Sequence, residues 1–499
     1  MTHVPKHADD SCLINQTVPA EVSGSPSEHL DEKSQLPNLN SNPNPSSNPN
    51  PNENEHPNVG DEENRTGLTH AVENAAAPSL SSSSEAGVDD EEDDDFPEGG
   101  LRAWLVVAAS FCCMISVYGI INCTAVFESY FSTHQLVGYD SSTIGWIFSV
   151  YLFIVFFFGI QVGPVFDRHG PRWLVVVGSV LVVASQLLLG LCDKYYQLLL
   201  TYSILGGLGG ALLNIPAYGV IAHFFKARRG FATGVAATAG SIGGIVFPIF
   251  LQAVIPKLGF AWSTRIIGFV LLFLSVVANL LVRSRLPPSR HPVSVLPDWT
   301  LFKDLKFSFC CAGVWFMEWG IFTPLGYIVS YAAAHGQDPG DAYTLLALLN
   351  AGSFFGRFMP GFLADRWGRF NVITATNALC VVTILAFWLP AGDSRALLIV
   401  FAVMFGFASG SNLGLYPVCI GQLCDARDYG RFFSTAMMVG SFGTLTSLPI
   451  AGALLEVGST PEQGWLALIL FSALSYAIAA SCFLGARVLA VSWRVKEVY

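Results

Sequence analysis

The hydrophobic positions of this chain fall in long blocks that begin after Trp104, whereas the residues before Pro97 are almost wholly polar. Twelve of these blocks are long enough to cross about 30 Å of hydrocarbon as helices, and hydrocarbon offers no partners for open strand edges. The pattern therefore predicts an all-α membrane protein with twelve transmembrane helices. The predicted spans are 104–127, 142–165, 172–192, 197–224, 230–254, 263–283, 307–331, 343–363, 371–390, 396–420, 432–454 and 464–489.

The polar segment before the first span has the composition of a disordered tail. It contains the low-complexity stretch NSNPNPSSNPNPNENEHPN and the acidic run DDEEDDD at 89–95, which carries much of the net charge of −11. Such a segment cannot bury enough apolar area to offset its chain entropy. We predict that residues 1–96 form a disordered cytoplasmic tail and that the acidic run is a solvated spacer.

Basic residues in the predicted loops are concentrated on one side of the membrane. The positive-inside rule then places both termini in the cytoplasm. We expect the protein to lie in the plasma membrane or alternatively in the vacuolar membrane. The opposite side carries little more than Lys194, Lys257, Arg265 and Arg395. The residues that define the cytoplasmic side are Arg168, Arg172, Lys226, Arg228, Arg229, Arg283, Arg285, Arg290, Lys303, Lys306, Arg366, Arg369, Arg427, Arg431, Arg494 and Lys496.

Repeated segments predict two similar halves of six helices. GPVFDRHGPR at 163–172 matches GFLADRWGRF at 361–370, and Asn214 and Asn412 occupy matching places in the fourth and tenth spans. Duplicated halves around a site at the middle of the membrane are typical of secondary transporters. The predicted units are the tail 1–96, the N-terminal half 97–283, a cytoplasmic linker 284–306, the C-terminal half 307–490 and a cytoplasmic C-terminus 491–499.

The repeated loop contains residues that suit the closing of one face of the bundle. A glycine lets two helices approach closely, and an aspartate can pair with arginine or with the positive N-terminal end of a helix. We predict that the two loops form a cytoplasmic gate; the alternative is that their arginines only fix the topology. The predicted gate consists of Gly163, Asp167, Arg168, Arg172, Gly361, Asp365, Arg366 and Arg369.

Polar residues at membrane depth are the candidate substrate contacts, because each is costly there unless it faces a cavity or a partner. Arg357 is the strongest candidate, since a guanidinium can hold a carboxylate through two parallel bonds. Alternatively, Arg357 reaches the headgroups or pairs with Asp365. Glu318, an acid near the middle of a span, is a proton-coupling candidate or a structural residue. The predicted substrate contacts are Asn122, Asn214, Tyr218, Asn350, Arg357, Asn412 and Tyr416.

Other chemistries find little support in the sequence. No GxxxxGK[ST] motif occurs, and GGLGG at 206–210 lies inside an apolar span without a preceding strand, which favours helix packing over nucleotide binding. The paired cysteines at 112–113 and 310–311 lack metal-ligand spacing. We expect no cofactor, no metal, no nucleic-acid partner and no enzymatic activity. The expected partners are a small-molecule substrate, the lipid bilayer and protons, with the monomer as the functional unit.

The decapeptide GPVFDRHGPR resembles the loop signature of the major facilitator superfamily, and this resemblance covers about residues 97–490. Three further segments are similar to motifs of its monocarboxylate transporter family, in the fungal branch. These are PEGGLRAW at 97–104, NIPAYGVIAHFFKARRGFATGVAATAG at 214–240 and GIFTPLGYIVSYA at 320–332. The resemblance implies a transporter of a monocarboxylate-like acid, a vitamin or a secondary metabolite, in which Arg357 matches the arginine that holds the carboxylate.

Three positions depart from the charges of that family. Asn122 and His223 stand where the family has lysines, and Ser353 stands where it has an aspartate. These replacements argue against lactate-type proton symport and leave an organic acid, a vitamin or a larger metabolite as the substrate. A second hypothesis, from a different class, is a nutrient sensor that keeps the transporter fold and signals through its tail.

Overall fold

The computed structural model describes residues 96–286, 298–337 and 339–492, and no strand occurs among them. Apart from Phe96, the predicted tail lies outside the described residues, as does most of the predicted C-terminal segment. The α-helices are α1 (Gly100–Ile121), α2 (Thr124–Thr133), α3 (Ser141–Phe157), α4 (Gly159–His169), α5 (Arg172–Leu189), α6 (Tyr195–Leu198), α7 (Gly207–Ala222), α8 (Arg229–Leu281), α9 (Leu305–Ala334), α10 (Pro339–Trp367), α11 (Arg369–Thr383), α12 (Arg395–Ile420), α13 (Tyr429–Leu455) and α14 (Pro461–Val491). Short 3-10 turns cover Trp299–Lys303 and Ala426–Asp428, and π-helical stretches cover Leu199–Gly206 and Ile384–Trp388.

Ten helical segments among the described residues are long and apolar enough to cross a membrane, which confirms the predicted all-α membrane fold. The prediction of twelve separate apolar spans differs from this count at two places, α8 and α10. Each difference has a physical reason.

The fifth and sixth predicted spans lie in one helical stretch, α8, which is interrupted at Gly259. A straight helix of 53 residues would be about 80 Å long, far more than one bilayer requires. Gly259 has φ 75° and ψ 166°, a conformation that glycine adopts without the steric cost of a side chain. A single residue therefore reverses the chain here, and α8 supplies two crossings where the sequence pattern predicts a loop.

The eighth predicted span corresponds to α10, which is helical over its length but is not among the ten apolar segments. Its sequence includes Asn350, Ser353 and Arg357, which lower its mean hydropathy. All three side chains are buried, because α10 packs between α8 and α12. Polar residues that would be costly against lipid are thus covered by protein.

The contact between α10 and α12 depends on glycine. A Cβ atom added at Gly356 would overlap the backbone carbonyl of Phe407, and one added at Gly406 would overlap the carbonyl of Leu349. The two backbones are therefore in direct contact at these positions. Small residues are the usual means of such close packing between membrane helices.

Replacing Gly356 by valine is expected to destabilise the protein by about 1–3 kcal/mol, because the added side chain forces α10 away from α12. The measurement is the thermal unfolding temperature of the full chain in detergent. Gly145→Ala is the matched control, since a Cβ atom at Gly145 meets nothing within 4 Å. Equal unfolding temperatures for both variants would contradict the dependence on close packing.

Candidate functional site

The two repeated loops, 163–172 and 361–370, lie at the same end of the bundle, which we call the paired-loop end. Asp167 on α4 accepts hydrogen bonds from the backbone N–H groups of Gly430 at 2.8 Å and Arg431 at 2.7 Å, at the start of α13. Asp365 on α10 accepts the equivalent bonds from Gly230 and Phe231, both at 2.8 Å, at the start of α8. Each carboxylate therefore caps the N-terminus of a helix in the other predicted half.

Four glycines allow these caps to form. A Cβ atom at Gly163 would overlap the carbonyl oxygen of Gly430, and one at Gly361 would lie 2.5 Å from the carbonyl oxygen of Gly230. Added Cβ atoms at Gly430 and Gly230 would each lie 2.6 Å from the carbonyl of the opposite glycine. The helices thus cross backbone to backbone, in two places that mirror each other.

The predicted gate arginines have different surroundings. Arg369 donates to the carbonyl of Lys226, and its Nε lies 3.8 Å from an oxygen of Asp365. Arg366 is exposed and lies over the ring of Phe362 at 4.3 Å. Arg168 and Arg172 are exposed as well. The structure therefore brings Arg369 to the caps and leaves the other three on the surface, while their role in a gate stays a prediction.

Arg229 is a buried part of this end that the sequence analysis treats only as a topology signal. Its Nη1 donates to the carbonyl of Gly421 at 2.6 Å and its Nε to the carbonyl of Phe225 at 3.1 Å. The side chain thereby joins the start of α8 to the end of α12. An arginine immediately before a predicted span is the available sequence signal, but it does not reveal the partner.

Glu98, in the PEGGLRAW segment, is the second contact that the sequence analysis misses. Its carboxylate accepts the backbone N–H groups of Lys226 at 2.7 Å, Ala227 at 2.6 Å and Arg228 at 2.9 Å. Glu98 therefore holds the connection between α7 and α8 in one conformation. This connection also carries the carbonyl that Arg369 contacts.

Arg357 lies in the interior, at the contact between α10 and α8. It is 7% exposed, its Nη1 donates to the carbonyl of Ala237 at 2.5 Å, and its Nε donates to Ser353 Oγ at 3.2 Å. Gly240 provides the space for this, because a Cβ atom there would overlap Nη1. The observed partners differ from both alternatives in the sequence analysis, which were the headgroups and Asp365.

Three further polar side chains form a chain of hydrogen bonds. Tyr118 on α1 donates to Asn214 Oδ1 at 3.0 Å, and the hydroxyl of Tyr218 lies 3.4 Å from that of Tyr118. Asn214 is 1% exposed, and its Nδ2 has no hydrogen-bond partner among the described residues. Arg357 interacts electrostatically with both tyrosines, so two predicted contacts share one cluster with it. Tyr118 is a member that the sequence analysis does not select.

Tyr416 lies beside this cluster. Phe433 joins them, with ring centroids 5.1 Å from Tyr218 and 6.1 Å from Tyr416. The hydroxyl of Tyr416 donates to the sulfur of Met437 at 3.0 Å. Tyr416 therefore presents an aromatic face to the cluster while its hydroxyl is occupied.

Asn122 and Asn350 converge from α1 and α10 on one glycine of α8. A Cβ atom at Gly244 would lie 2.7 Å from Asn350 Oδ1 and 2.9 Å from the Cγ of Asn122. Asn122 donates to the carbonyl of Tyr118 at 2.7 Å, and Asn350 donates to that of Leu346 at 3.1 Å. Both amides therefore pack against Gly244, in space that a side chain at this position would occupy.

Asn412 is bonded to α11. Its Oδ1 accepts from Thr376 Oγ1 at 2.6 Å and from Asn377 Nδ2 at 3.3 Å, and its Nδ2 lies 3.5 Å from Cys380 Sγ. The repeat places Asn412 and Asn214 at equivalent positions in the sequence, but their neighbours differ. The observed contacts describe helix packing, and a substrate contact at Asn412 stays a prediction.

Glu318 on α9 is 2% exposed and faces α13. Thr444 Oγ1 lies 3.1 Å from its carboxylate and 3.2 Å from the carbonyl of Gly440. Tyr118, Tyr218 and Tyr416 all interact electrostatically with Glu318. Glu318 thus borders the same cluster as Arg357, and its role in proton coupling stays a prediction.

The described residues contain no group of three or more His, Cys, Asp or Glu side chains placed to hold a metal ion. We call Arg357, Glu318, Tyr118, Tyr218, Asn214 and the side chains beside them the interior cluster. It offers a bound molecule one guanidinium, one carboxylate, amides, hydroxyls and aromatic faces. These groups can recognise a small polar solute by charge and by hydrogen bonds.

Comparison with known proteins identifies the family. The family model of the Major Facilitator Superfamily matches residues 106–393 and 308–497. "MFS-type transporter 1" of Ophiocordyceps is 40% identical over 366 residues, which are 73% of this chain and 81% of that protein. The riboflavin transporter MCH5 of Saccharomyces cerevisiae is 36% identical over 423 residues, covering 80% of this chain and 81% of the relative. The aspyridones efflux protein apdF of Emericella nidulans is 36% identical over 406 residues, covering 81% of each chain.

Solved structures share the fold. The human organic anion transporter MFSD10 superposes with a TM-score of 0.62 at 13% identity, over 76% of this chain and all of that one. The Escherichia coli fucose:proton symporter FucP gives a TM-score of 0.60 at 16% identity, over 76% of this chain and 98% of its own. Together with the helical fold and the relatives, these matches show that this multi-pass membrane protein belongs to the Major Facilitator Superfamily of small-solute transporters.

Proposed function

We propose that this protein is a transporter of the monocarboxylate porter type, secondary active or facilitative, that moves a small organic acid by alternating access. The position of Arg357 carries the proposal. Its guanidinium is buried at the contact between α10 and α8, with a backbone carbonyl and a serine as partners. A buried charge is costly without a counterion, and an incoming carboxylate would supply one.

The paired-loop end supports alternating access, because it is closed by contacts that can be broken. Asp167 and Asp365 tie α4 to α13 and α10 to α8, each through two backbone N–H groups. A helix cap contributes about 1 kcal/mol, so two such caps favour the closed end without locking it. Opening this end would separate both glycine crossings together.

The side-chain partner of Arg357 is neutral, which supports the proposal that the substrate is an anion. Ser353 occupies the position next to its Nε, so the positive charge is left for a ligand to neutralise. A riboflavin transporter and an efflux protein for aspyridones are among the relatives. We propose a vitamin or secondary metabolite with an acidic group, in preference to lactate.

We further propose that the paired-loop end and both termini face the cytoplasm, and that the protein acts in the plasma membrane as a monomer. The excess of arginine and lysine in the loops at this end supports the orientation. Protons are the proposed coupling ion, with Glu318 as the group that carries them.

Replacing Arg357 by glutamine is expected to lower carboxylate uptake at least tenfold, because it removes the charge that holds the acid. Arg357→Lys should retain an intermediate rate, since it keeps the charge and loses the two-pronged geometry. The measurement is uptake into proteoliposomes of a panel of labelled carboxylates, flavins and secondary metabolites, with and without a pH gradient. Arg102→Gln, at an exposed arginine on α1 outside the predicted site and gate, is the control. Unchanged carboxylate transport by the Arg357→Gln protein would disprove the role of this residue.

Replacing Asp167 or Asp365 by alanine is expected to open the paired-loop end. Each lost cap costs about 1 kcal/mol, so alkylation of the buried Cys419 should be about fivefold faster in each single variant and about 30-fold faster in the double variant. Cys192, at the opposite end, should react at an unchanged rate. Asp365→Asn should give a smaller increase than Asp365→Ala, because asparagine keeps one of the two accepting oxygens. A double variant in which Cys419 stays as protected as in the parent would exclude the gate.

Deleting residues 2–95 separates transport from sensing. A transporter should keep its uptake rate per molecule at the membrane, because none of the contacts described above involves the deleted residues. Surface biotinylation measures the number of molecules, and labelled uptake measures the rate. A collapse of uptake at normal surface abundance would favour the sensor hypothesis, in which the tail acts on the bundle.

A further inference from the structure

Arg357 and Glu318 occupy two different depths of the interior cluster. Arg357 lies about two turns before Asp365 on α10, which is roughly 12 Å from the paired-loop end. Glu318 lies roughly 20 Å beyond the start of α9, and α9 starts at the same end, since Asp298 just before it pairs with Arg431 at 2.9 Å. The Cα atoms of Arg357 and Glu318 therefore lie at levels that differ by about 8 Å along the bundle.

The level of Arg357 presents hydrogen-bond donors. The guanidinium has five N–H groups, of which two contact Ala237 and Ser353. Asn214 lies on α7. Its Oδ1 accepts from Tyr118, and its buried Nδ2 has no partner among the described residues. A buried donor without a partner costs about 1–3 kcal/mol, so this level is completed by an acceptor such as a carboxylate.

The level of Glu318 presents acceptors. Thr444 has a single hydroxyl hydrogen, and that hydrogen is shared between Glu318 and the carbonyl of Gly440. A carboxylate has about four acceptor sites, so Glu318 can take further donors. By the same counting along α10, Asn350 lies roughly 22 Å from the paired-loop end, close to the level of Glu318. Its Oδ1 and the amide of Asn122 pack against Gly244 of α8, while both Nδ2 groups donate to their own helices.

Two tyrosines border the level of Arg357, where a Cβ atom at Gly240 would lie 3.1 Å from Tyr118 Cβ and would overlap Arg357 Nη1. Tyr118 and Tyr218 interact electrostatically with both Arg357 and Glu318, which means that they lie within range of both charges. Their rings offer flat apolar faces, and their hydroxyls are bonded to each other. A molecule whose acidic group meets Arg357 would contact these rings.

We propose that the transported solute is bipolar, an organic acid that also carries an N–H donor, such as an amine, at the other end of the molecule. Arg357 and Asn214 bind the acidic group, Glu318 and Asn350 bind the donor at their deeper level, and the tyrosines contact an apolar part of the solute beside its acidic group. This inference rests on the proposed function of Arg357 and adds a second recognition point, which excludes simple monocarboxylates as the preferred solutes.

The test uses three matched probes: 4-(aminomethyl)benzoate, which carries both groups, 4-methylbenzoate, which lacks the amine, and benzylamine, which lacks the acid. Their affinities are measured on the full-length protein in nanodiscs, by ligand-induced thermal stabilisation. The parent protein should bind the bipolar probe at least tenfold more tightly than either single-group probe. Equal affinity for the bipolar probe and 4-methylbenzoate, or binding of none of the three, would overturn the proposal.

Variants distinguish this inference from the function on which it rests. Glu318→Gln should lower affinity for the bipolar probe at least tenfold, to that of 4-methylbenzoate, whose own affinity should not change. Glu456→Gln is the matched control, since it makes the same change at an exposed acid outside the site and should keep the preference. Asn350→Leu is an independent variant in case Glu318→Gln does not fold, and it should reduce the preference in the same way. A preference that survives both Glu318→Gln and Asn350→Leu would overturn the bipolar site, whereas unchanged 4-methylbenzoate binding by Arg357→Gln would overturn the proposed role of Arg357.

Discussion

The capping of one helix by an aspartate from another is the interaction on which the closed paired-loop end depends. Asp167 and Asp365 each accept two backbone N–H groups from the first turn of a helix that would otherwise leave them without partners. The acceptor and the donors come from different predicted halves, so neither half satisfies its own helix N-terminus. The paired-loop end therefore closes when these helix N-termini gain their hydrogen-bond partners.

Polar side chains in the interior also find their partners on other helices. Arg357 reaches across to Ala237, and Tyr118 reaches across to Asn214, so side chains from several helices meet in a small volume that glycines keep open. Gly240 makes room for the guanidinium and Gly244 for two amides. Polar groups that hydrocarbon would penalise are thereby given partners inside the bundle.

The sequence was sufficient for the helical membrane fold, because an apolar block of some twenty residues has few other structures available in lipid. It could not predict the reversal at Gly259, since hydropathy does not register a turn made by the φ angle of one residue. The repeat equated Asn412 with Asn214, although only the three-dimensional neighbours decide what an amide contacts. The contacts of Tyr118 and Glu98 could not be predicted, because neither a tyrosine in an apolar helix nor a single acid before that helix indicates its partner. The aspartates of the repeated loop were visible in the sequence, but the backbone groups they bind were only one of two partners considered.

The low hydropathy of α10 has a consequence for how the protein is made. This helix carries Asn350, Ser353 and Arg357, which are covered only when α8 and α12 lie beside it, and α12 is synthesised later. A segment of this kind gains little from entering lipid alone, so its insertion depends on the helices that flank it. Membrane integration of the C-terminal region is therefore a cooperative step during biogenesis, in which α10 becomes stable only after α12 has been inserted.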